Sequence, residues 1–595
     1  MRNLSTLFLT LVFALIGGTA MAQGTKDATG TTVKTPDATA TTPATPSTPV
    51  TPKAVEPPTA PKADAMKIAD KGAADVKKLS GEVDPYVGRR HRRHRHGRHH
   101  RLAALPTFSA PESNFVDTRI SFIFGDDDFL HKAGETIVDS PLPGFGNRNG
   151  YELFFDNLNS SRTGRENQIH LVLYKKLAGY IPGLVTEGAI VTKYDFSSSR
   201  DGSLKDDGTY MLIRYRSPSG GPELSVTMFP VSTDRFRLGY LYDLTWAGSD
   251  AFPGAYRSLT PGIKFALRTK DTYGLMGFKT SRMLTNPPPG SSEGREMETF
   301  YAALFGAGYN PGKYGFSVEG NGGFVQMGQN PNNGVEGETV QLFGGSARIA
   351  YMHGMKMGMS ADLRLFRNDA EFVNSLNARP SYSPGFSYLI SAEGNYIMQS
   401  LQDPDTYGTT KLQNAYAGAV SAKFRNDFLR GHLTLFSRSV SFILMNVPSY
   451  VPYQAFSQGL DTSAELFAAA GVDYYLKDLH LTVGITAGLQ FPASTQVQLT
   501  ATTGASEVDL GKRTVVIRDM GQLSILPEGE DPLPIFGTKL TAKWDLSDMM
   551  SVTFMVLYQR DPNYTTLKTL SNGTSSREFE SPNKFGAAVV TSAKF

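Results

Sequence analysis

Along most of this chain, apolar and polar side chains alternate one by one. From Asn583 to Phe595, Phe585, Ala587, Val589, Thr591, Ala593 and Phe595 share one face, and Gly586, Ala588, Val590, Ser592 and Lys594 share the other. A period of two belongs to an extended strand whose faces meet different media. The same rhythm places Ile120, Phe122 and Phe124 together, and sets Met211, Ile213 and Tyr215 against Leu212, Arg214 and Arg216. It sets Ile263, Phe265, Leu267 and Thr269 against Lys264, Ala266, Arg268 and Lys270, and Thr538, Leu540, Ala542 and Trp544 against Lys539, Thr541, Lys543 and Asp545. The cleanest case is Phe236 to Trp246, with Phe236, Leu238, Tyr240, Tyr242, Leu244 and Trp246 facing one way and Arg237, Gly239, Leu241, Asp243 and Thr245 the other. A strand of about 9 to 11 residues tilted near 45° crosses a bilayer. Phe236 to Trp246 is therefore expected to be a membrane strand, its aromatic ends at the two interfaces.

The segments are joined alternately by tight and long connections. Asp271 to Tyr273, Tyr309 to Tyr314, His353 to Lys356, Leu476 to Leu479 and Leu546 to Met549 read as short turns on one side. Gly125 to Asn149, Thr285 to Glu298, Asn446 to Glu465 and Asp561 to Pro582 read as long loops on the other. Alternation of sides puts Thr514 to Leu526 inside a long loop from Phe491 to Pro534 rather than in a membrane strand. Between Arg367 and Asp427 the alternation breaks down. The expected fold is all-β: a single transmembrane antiparallel barrel over residues 115–595, with about 18 strands in a range of 16–22. Its last strand should close against the first near Arg119 to Phe124.

Composition agrees. The 595 residues include 59 Gly, 36 Phe and 26 Tyr but no Cys, and only 19% are charged. Without Cys there is no disulfide framework, no thiolate zinc site and no lipid-attachment cysteine. Beyond the N-terminus no run of about 20 apolar residues occurs, so a helical span is excluded and only a closed barrel can cross a bilayer.

The first hundred residues differ in kind. Residues 1–22 carry Arg2, an apolar run from Leu7 to Ile16 and Ala20-Met21-Ala22, a secretory signal. Residues 23–80 are rich in Pro, Thr and Ala, with prolines at 36, 43, 46, 49, 52, 57, 58 and 61, and are expected to form a disordered periplasmic spacer of polyproline character. A short amphipathic helix is expected within residues 64–80. Residues 81–114 form a basic arm in which Arg89, Arg90, Arg92, Arg93, Arg95, Arg98 and Arg101 alternate with His91, His94, His96, His99 and His100. Four readings stand open for it: an anionic polymer or lipopolysaccharide phosphate bound by guanidinium, a metal held weakly by the imidazoles, a plug folded into the barrel mouth, or a solvated arm beside the membrane. Up to residue 101 there are 16 Lys plus Arg against 8 Asp plus Glu; with +3 for the whole chain, the remainder carries −5. Arm and body attract each other within a screening length of about 8 to 10 Å.

Candidate chemistry is sparse. The body holds only His131, His170, His353, His432 and His480, with no nucleophile elbow, phosphate loop or HExxH, so neither enzyme activity nor a cofactor is expected. Gly125-Asp126-Asp127-Asp128 offers hard oxygens to calcium but lacks the spacing of an EF-hand, and a solvated acidic loop suits it better. The faces opposite the apolar ones carry Arg214, Arg216, Arg237, Lys264, Arg268, Lys270, Lys539 and Lys543 against Asp243 and Asp545. In a barrel these are pore-lining candidates that draw anions, or they pair across strands and fill the interior.

The signal sequence, alternating strands, loop rhythm and terminal Phe595 resemble the Gram-negative outer-membrane porin and polysaccharide-export barrel class over residues 115–595. The resemblance implies an outer-membrane location with the arm in the periplasm, and Phe595 as part of a sorting signal read by the barrel assembly machinery. It also implies lipid and lipopolysaccharide around the barrel and no nucleic-acid partner. A plug domain, folded periplasmic modules and a passenger are all missing from the sequence before residue 115. Two functions remain. In one, the barrel is a conduit for hydrophilic, anionic solute or polysaccharide. In the other, it is a structural or surface-interaction barrel with a filled lumen, its residues 23–101 tying a periplasmic partner or peptidoglycan to a trans-envelope complex for motility, secretion or adhesion.

Overall fold

The computed structural model describes residues 113–126, 168–195, 204–206, 208–233, 236–255, 259–285, 296–311, 314–354, 385–445, 453–503, 506–518, 523–569 and 575–594. The signal, spacer, basic arm, His131, Asp127, Asp128 and Phe595 lie outside these residues, and so do all the Arg and His of residues 89–101.

The strands begin with β1 (Ser113–Asp126), β2 (Gln168–Ala178), β3 (Leu184–Asp195), β4 (Leu204–Asp206), β5 (Tyr210–Arg216), β6 (Glu223–Phe229), β7 (Gly262–Arg268), β8 (Thr272–Leu284) and β9 (Met297–Tyr309). They continue with β10 (Tyr314–Gln329), β11 (Thr339–His353), β12 (Phe386–Gln402), β13 (Thr410–Asn426), β14 (Leu429–Arg438), β15 (Thr462–Ser463), β16 (Glu465–Leu476) and β17 (Leu481–Phe491). The last are β18 (Ala493–Thr503), β19 (Ser506–Ile517), β20 (Leu523–Ile525), β21 (Ile535–Asp545), β22 (Met550–Arg560), β23 (Thr565–Thr569), β24 (Ser575–Phe579) and β25 (Asn583–Lys594).

One antiparallel sheet contains 19 strands, of which β4 pairs with β3 alone. The other 18 form a ring, because β1 pairs with both β2 and β25. At this seam Arg119 to Asp126 lie opposite Lys594 to Ala587, the closure the sequence predicts. Closure removes both free edges. The strand starts and ends also fix the sides. Connections 179–183, 217–222, 269–271, 310–313, 427–428, 477–480 and 546–549 share one rim with the start of β1 and the end of β25. Gly183 shows why such turns are tight: its φ is +84°, and a Cβ there would sit 1.9 Å from the Arg216 carbonyl oxygen. One connection on this rim, residues 354–385, is long and falls mostly outside the described residues, so the short turn expected at His353 to Lys356 is corrected; this connection overlaps the start of the stretch from Arg367 to Asp427 in which the sequence alternation breaks down, the rest of which is the regular hairpin of β12 and β13.

The opposite rim carries the long connections. Residues 492–534 contribute β18, β19 and β20, which with β15 make a separate four-stranded sheet, so Thr514 to Leu526 is loop structure as expected. β23 and β24 form a hairpin of their own. Arg518 and Asp561 join these two loops by a buried ion pair, 3.1 Å between Nη2 and Oδ2.

Burial alternates along the ring. On β10, Tyr314, Phe316 and Val318 are exposed while Ser317, Glu319 and Val325 are buried. On β21, Phe536, Leu540 and Trp544 are exposed, and Lys539 and Thr541 buried. Outside, aromatic side chains gather towards both rims: Tyr314, His353, Tyr351, Tyr388, Phe386 and Phe424 in one contact chain near the short turns, and Phe536 against Tyr558 near the long loops. Among the described side chains, an exposed apolar belt edged by aromatics is the surface of a barrel that stands in a lipid bilayer.

A further expectation fails. Phe236 to Trp246 is no membrane strand. It belongs to the connection 230–261 between β6 and β7, whose described residues hold 3-10 turns Tyr242–Leu244 and Ser249–Ala251 and two isolated bridges, Leu238 with Trp246 and Ala255 with Met283. Phe236, Leu238, Leu244 and Trp246 are buried at 2% exposure or less, in one apolar cluster with Phe300, Leu304, Val325, Met327, Val340, Leu342 and Ile397. These partners come from β9, β10, β11 and β12, whose positions alternate inward, so the segment lies inside the barrel. An extended chain packed by one face on a wall has the same period of two as a strand packed in lipid.

Candidate functional site

The lumen is the site, and the inward segment is its most specific feature. The segment leaves the wall at β6 and returns at β7, yet its tip is held by strands far round the ring. Gly239 N donates to Asn321 Oδ1 on β10 at 3.3 Å. Tyr240 N and Leu241 N both donate to the Glu393 carboxylate on β12, at 2.9 and 2.6 Å. Trp246 Nε1 donates to Ser346 Oγ on β11 at 2.8 Å. The Arg348 guanidinium on β11 lies 4.4 Å from the Tyr240 ring centre, and Arg438 Nη1 on β14 donates to Asp243 O at 3.5 Å. Between β7 and β14 stand β8, β9, β10, β11, β12 and β13. The segment therefore crosses the interior rather than lining its own side. Near its root, Lys279 Nζ donates to Thr233 O and Ala247 O, at 3.1 and 2.6 Å, spreading its charge over two carbonyl dipoles. Burial, with the Glu319 carboxylate adding to it, pushes the Tyr240 phenol above its usual range and keeps it protonated.

Away from the apolar patch that packs the crossing segment, the inner wall is polar and knit by ion pairs. Arg214 pairs with Glu187 at 3.0 Å, and Glu187 also accepts from Tyr210 Oη at 3.0 Å. Arg430 holds Asp473 through two bonds of 2.6 and 2.7 Å, the bidentate geometry that makes such pairs strong. Arg438 pairs with Glu465 at 2.6 Å, and Arg348 with Glu319, which also accepts from Tyr273 Oη at 2.8 Å. Each pair joins neighbouring or near-neighbouring strands and turns charge inward without leaving it bare.

The residues singled out in the sequence fall in different places. Arg214, Arg216, Lys264, Arg268, Lys539 and Lys543 alternate with exposed apolar neighbours on β5, β7 and β21 and so face inward. Arg214 is engaged by Glu187, and Lys543 approaches Asp545 at 4.0 Å. Lys264, 3% exposed, sits 5.3 Å from the Phe236 ring centre and 6.0 Å from that of Phe229. Lys270 is exposed in the turn 269–271, outside the wall. Arg237 belongs to the crossing segment, with Nη1 donating to Thr245 Oγ1 at 3.1 Å, and its assignment to a strand is corrected with that of Phe236 to Trp246. Lys279, Arg348, Lys423, Arg425, Arg430 and Arg438 also face inward and escaped the sequence reading.

At the long-loop rim a cavity of about 230 Å³ is lined by Leu401, Gln413, Met445, Tyr453, Phe456 and Val497 among others, all uncharged. Beside it, the Asp405 N–H and the Lys411 ammonium hold the Asp403 carboxyl below the usual range, and the Gln458 N–H with Lys411 does the same for Asp405. Among the described residues no group of three or more His, Asp or Glu is arranged to hold a metal.

No family model and no curated protein sequence matches this chain. Among solved structures, it overlaps OccK3 (OpdO) of Pseudomonas aeruginosa with a TM-score of 0.35 and 8% identity, over 81% of this chain and 95% of that one. An anion-selective porin from Comamonas acidovorans overlaps with a TM-score of 0.30 and 9% identity, over 82% and 100% of the two chains. OmpT, an outer membrane protein of Vibrio cholerae, overlaps with a TM-score of 0.28 and 7% identity, over 82% and 100%. Overlaps this loose carry nothing about function, and the ring stands on its own hydrogen bonding.

Proposed function

We propose that this chain is a channel of the Gram-negative outer membrane, through which small hydrophilic solutes pass by diffusion, anions ahead of cations. The observation that carries the reading is the closed ring of β1 to β25 with a lipid-facing exterior and a polar interior, crossed by a tethered segment. Barrels of about 16 to 18 strands enclose more space than their own side chains fill. A segment held across that space sets the width of the passage. Inward Arg216, Arg268 and Lys543 bias the remaining space towards anions. A crossing segment suits small solutes better than a polysaccharide chain, which needs an unobstructed bore. The long-loop rim then faces outward among lipopolysaccharide, and the rim bearing both ends of the ring faces the periplasm. From there residues 23–101 reach peptidoglycan or a periplasmic partner, and assembly machinery reads Phe595.

A second reading is favoured by the apolar packing of Trp246, Phe252 and Phe300 inside the ring. It is a structural barrel with a filled lumen that anchors a trans-envelope complex. Planar-bilayer recording of the purified protein separates the two, with and without residues 23–101. Stepwise conductance in both forms, with a reversal potential on the anion side in a salt gradient, supports the channel. Silence in both forms sinks it, and conductance only after deletion makes the arm a plug.

A further inference from the structure

The cavity at the long-loop rim lies on the inner side of the ring. Gln399 and Leu401 on β12 and Gln413 on β13, which face inward, form one wall, and the short helix Val440–Leu444, residues 453–460 and the start of β18 form the others. These walls are pinned and cannot fall in. Residues 453–458 are tied to β12, β13 and the turn between them: Gln402 N donates to Tyr453 O at 2.8 Å, Ala455 N to Gln402 O at 2.9 Å, Phe456 N to Gln413 Oε1 at 2.9 Å and Gln458 N to Asp405 Oδ2 at 2.6 Å. Tyr453 Oη reaches further, donating to Met327 O on β10 at 2.9 Å. The helix is fixed to β13 by Ser441 Oγ, which donates to Asn414 O at 2.6 Å, and by Ser439 Oγ, which accepts from Tyr416 N and Phe442 N at 3.0 and 3.2 Å. Thr495 Oγ1 and Gln496 N on β18 both donate to Asp461 O, at 3.1 and 3.0 Å.

The same bonds engage most polar groups of the lining within the protein, and much of the remaining surface is apolar: Leu401, Leu444, Met445, Ala455, Phe456 and Val497. The charged groups beside the cavity answer one another, since Lys411 lies 3.0 Å from both the Asp403 and the Asp405 carboxylates. Neither sign of charge is therefore offered to a guest. Gln454, half-buried, and Ser457, exposed, add an amide and a hydroxyl at the solvent edge. An apolar cavity of about 150 Å³ takes up benzene. At about 230 Å³, this one has room for a ring with a small substituent, less than a drug-sized molecule fills. The Met445 thioether and the Phe456 ring are the partners an aromatic face or edge prefers. We infer that this cavity binds a small uncharged molecule with one aromatic ring and one hydrogen-bonding substituent, the ring against Met445 and Phe456 and the substituent at Gln454 and Ser457. Such binding goes beyond the channel reading and does not depend on conduction.

The test is fluorine NMR of 4-fluorobenzyl alcohol titrated into the full-length protein in detergent. Micelles take up the probe in proportion to its concentration, so the expected result is a saturable component seen only with protein. Ala455→Phe and Val497→Phe fill the cavity from two different elements and should each raise the half-saturating concentration about tenfold. Leu435→Phe, on the exposed outer face, should leave it within about twofold. Unlabelled benzamide should displace the probe at neutral pH, and benzoate, of the same size but charged, should not. Folding of each variant is checked by heat-modifiable migration of the barrel. Uptake equal to that of detergent alone, saturation indifferent to both filling substitutions, or displacement by benzoate as strong as by benzamide would overturn the site. Saturation that appears only when residues 446–452 are replaced by glycine and serine makes that segment the native occupant and likewise overturns it. Because the readout is binding, a silent protein in planar bilayers leaves the site standing, and loss of the site leaves the channel reading intact.

Discussion

Removing the Glu393 carboxylate should release the tip of the crossing segment. The carboxylate is 9% exposed and accepts Tyr240 N and Leu241 N at 2.9 and 2.6 Å, with Asn395 Nδ2 at 3.2 Å alongside. Each hydrogen bond to a charged group contributes about 1.5 to 3 kcal/mol, so the two backbone bonds hold the tip by roughly 3 to 6 kcal/mol. Water in the lumen would recover part of this for the freed N–H groups. Taking about 3 kcal/mol as the net loss in Glu393→Ala, the released state gains a factor of roughly 100, at 1.4 kcal/mol per tenfold. Trp246 Nε1 to Ser346 Oγ and Gly239 N to Asn321 Oδ1 still hold the segment. The Glu393→Ala, Ser346→Ala double variant should therefore move further than either single change. In planar bilayers the wild type should give steady openings, the Glu393→Ala variant a noisier and larger conductance, and the double variant the largest. Glu393→Gln, which keeps one acceptor, should fall between wild type and alanine. If all these variants share the wild-type conductance and noise, the segment does not set the passage.

Charge reversal at Arg216 and Arg268 should shift the reversal potential towards cations in a salt gradient, and an unchanged value would remove both from the conduction path. Breaking the buried Arg518–Asp561 pair with Asp561→Ala strands a guanidinium that is 3% exposed; it should cost about 3 to 5 kcal/mol locally and open the long-loop rim to limited proteolysis before the ring melts. The lowered pKa values of Asp403 and Asp405 mean their hydrogen bonds stabilise the rim above the ordinary carboxylate pKa of about 4 and fail as pH drops through the lower folded-state values. Pepsin cleavage of residues 403–409 should accordingly rise only below about pH 4, and Lys411→Met should move that onset to higher pH.

The ring was legible in the sequence wherever its two faces differ. β5 and β21 alternate between apolar and charged residues, and the last strand carries Phe585 outward beside buried Lys584. Legibility failed where the crossing segment packs. There the inner wall is apolar, with Ala415, Ala417 and Ala419 on β13 and Ile397 on β12, while the outer positions Gly394 and Gly418 are small. With both faces alike, the period of two disappears. The cations of that region, Lys423, Arg425, Arg430 and Arg438, were lost with it. The segment was itself misread for the complementary reason: its own alternation is strong, but the medium it meets is the inner wall and not lipid. Gly239, with a φ of +91° between Leu238 and Tyr240, is the local sign that no regular strand runs through.

The seam between β1 and β25 has a kinetic consequence. Every other junction in the ring joins strands consecutive along the chain, tied covalently by a turn or loop, whereas this one brings Arg119 to Lys594 by hydrogen bonds alone. By loop-closure entropy, joining residues so distant costs only about 3 kcal/mol more than closing a ten-residue hairpin, a cost the seam's ladder readily offsets. The difficulty is one of time, because that search succeeds only after all the intervening hairpins exist. Until then the unfinished sheet presents two bare edges, each a template for any other strand that arrives first. The ring is thus least protected just before it closes, and whatever shields those edges in that interval governs its yield more than the strength of any contact within it.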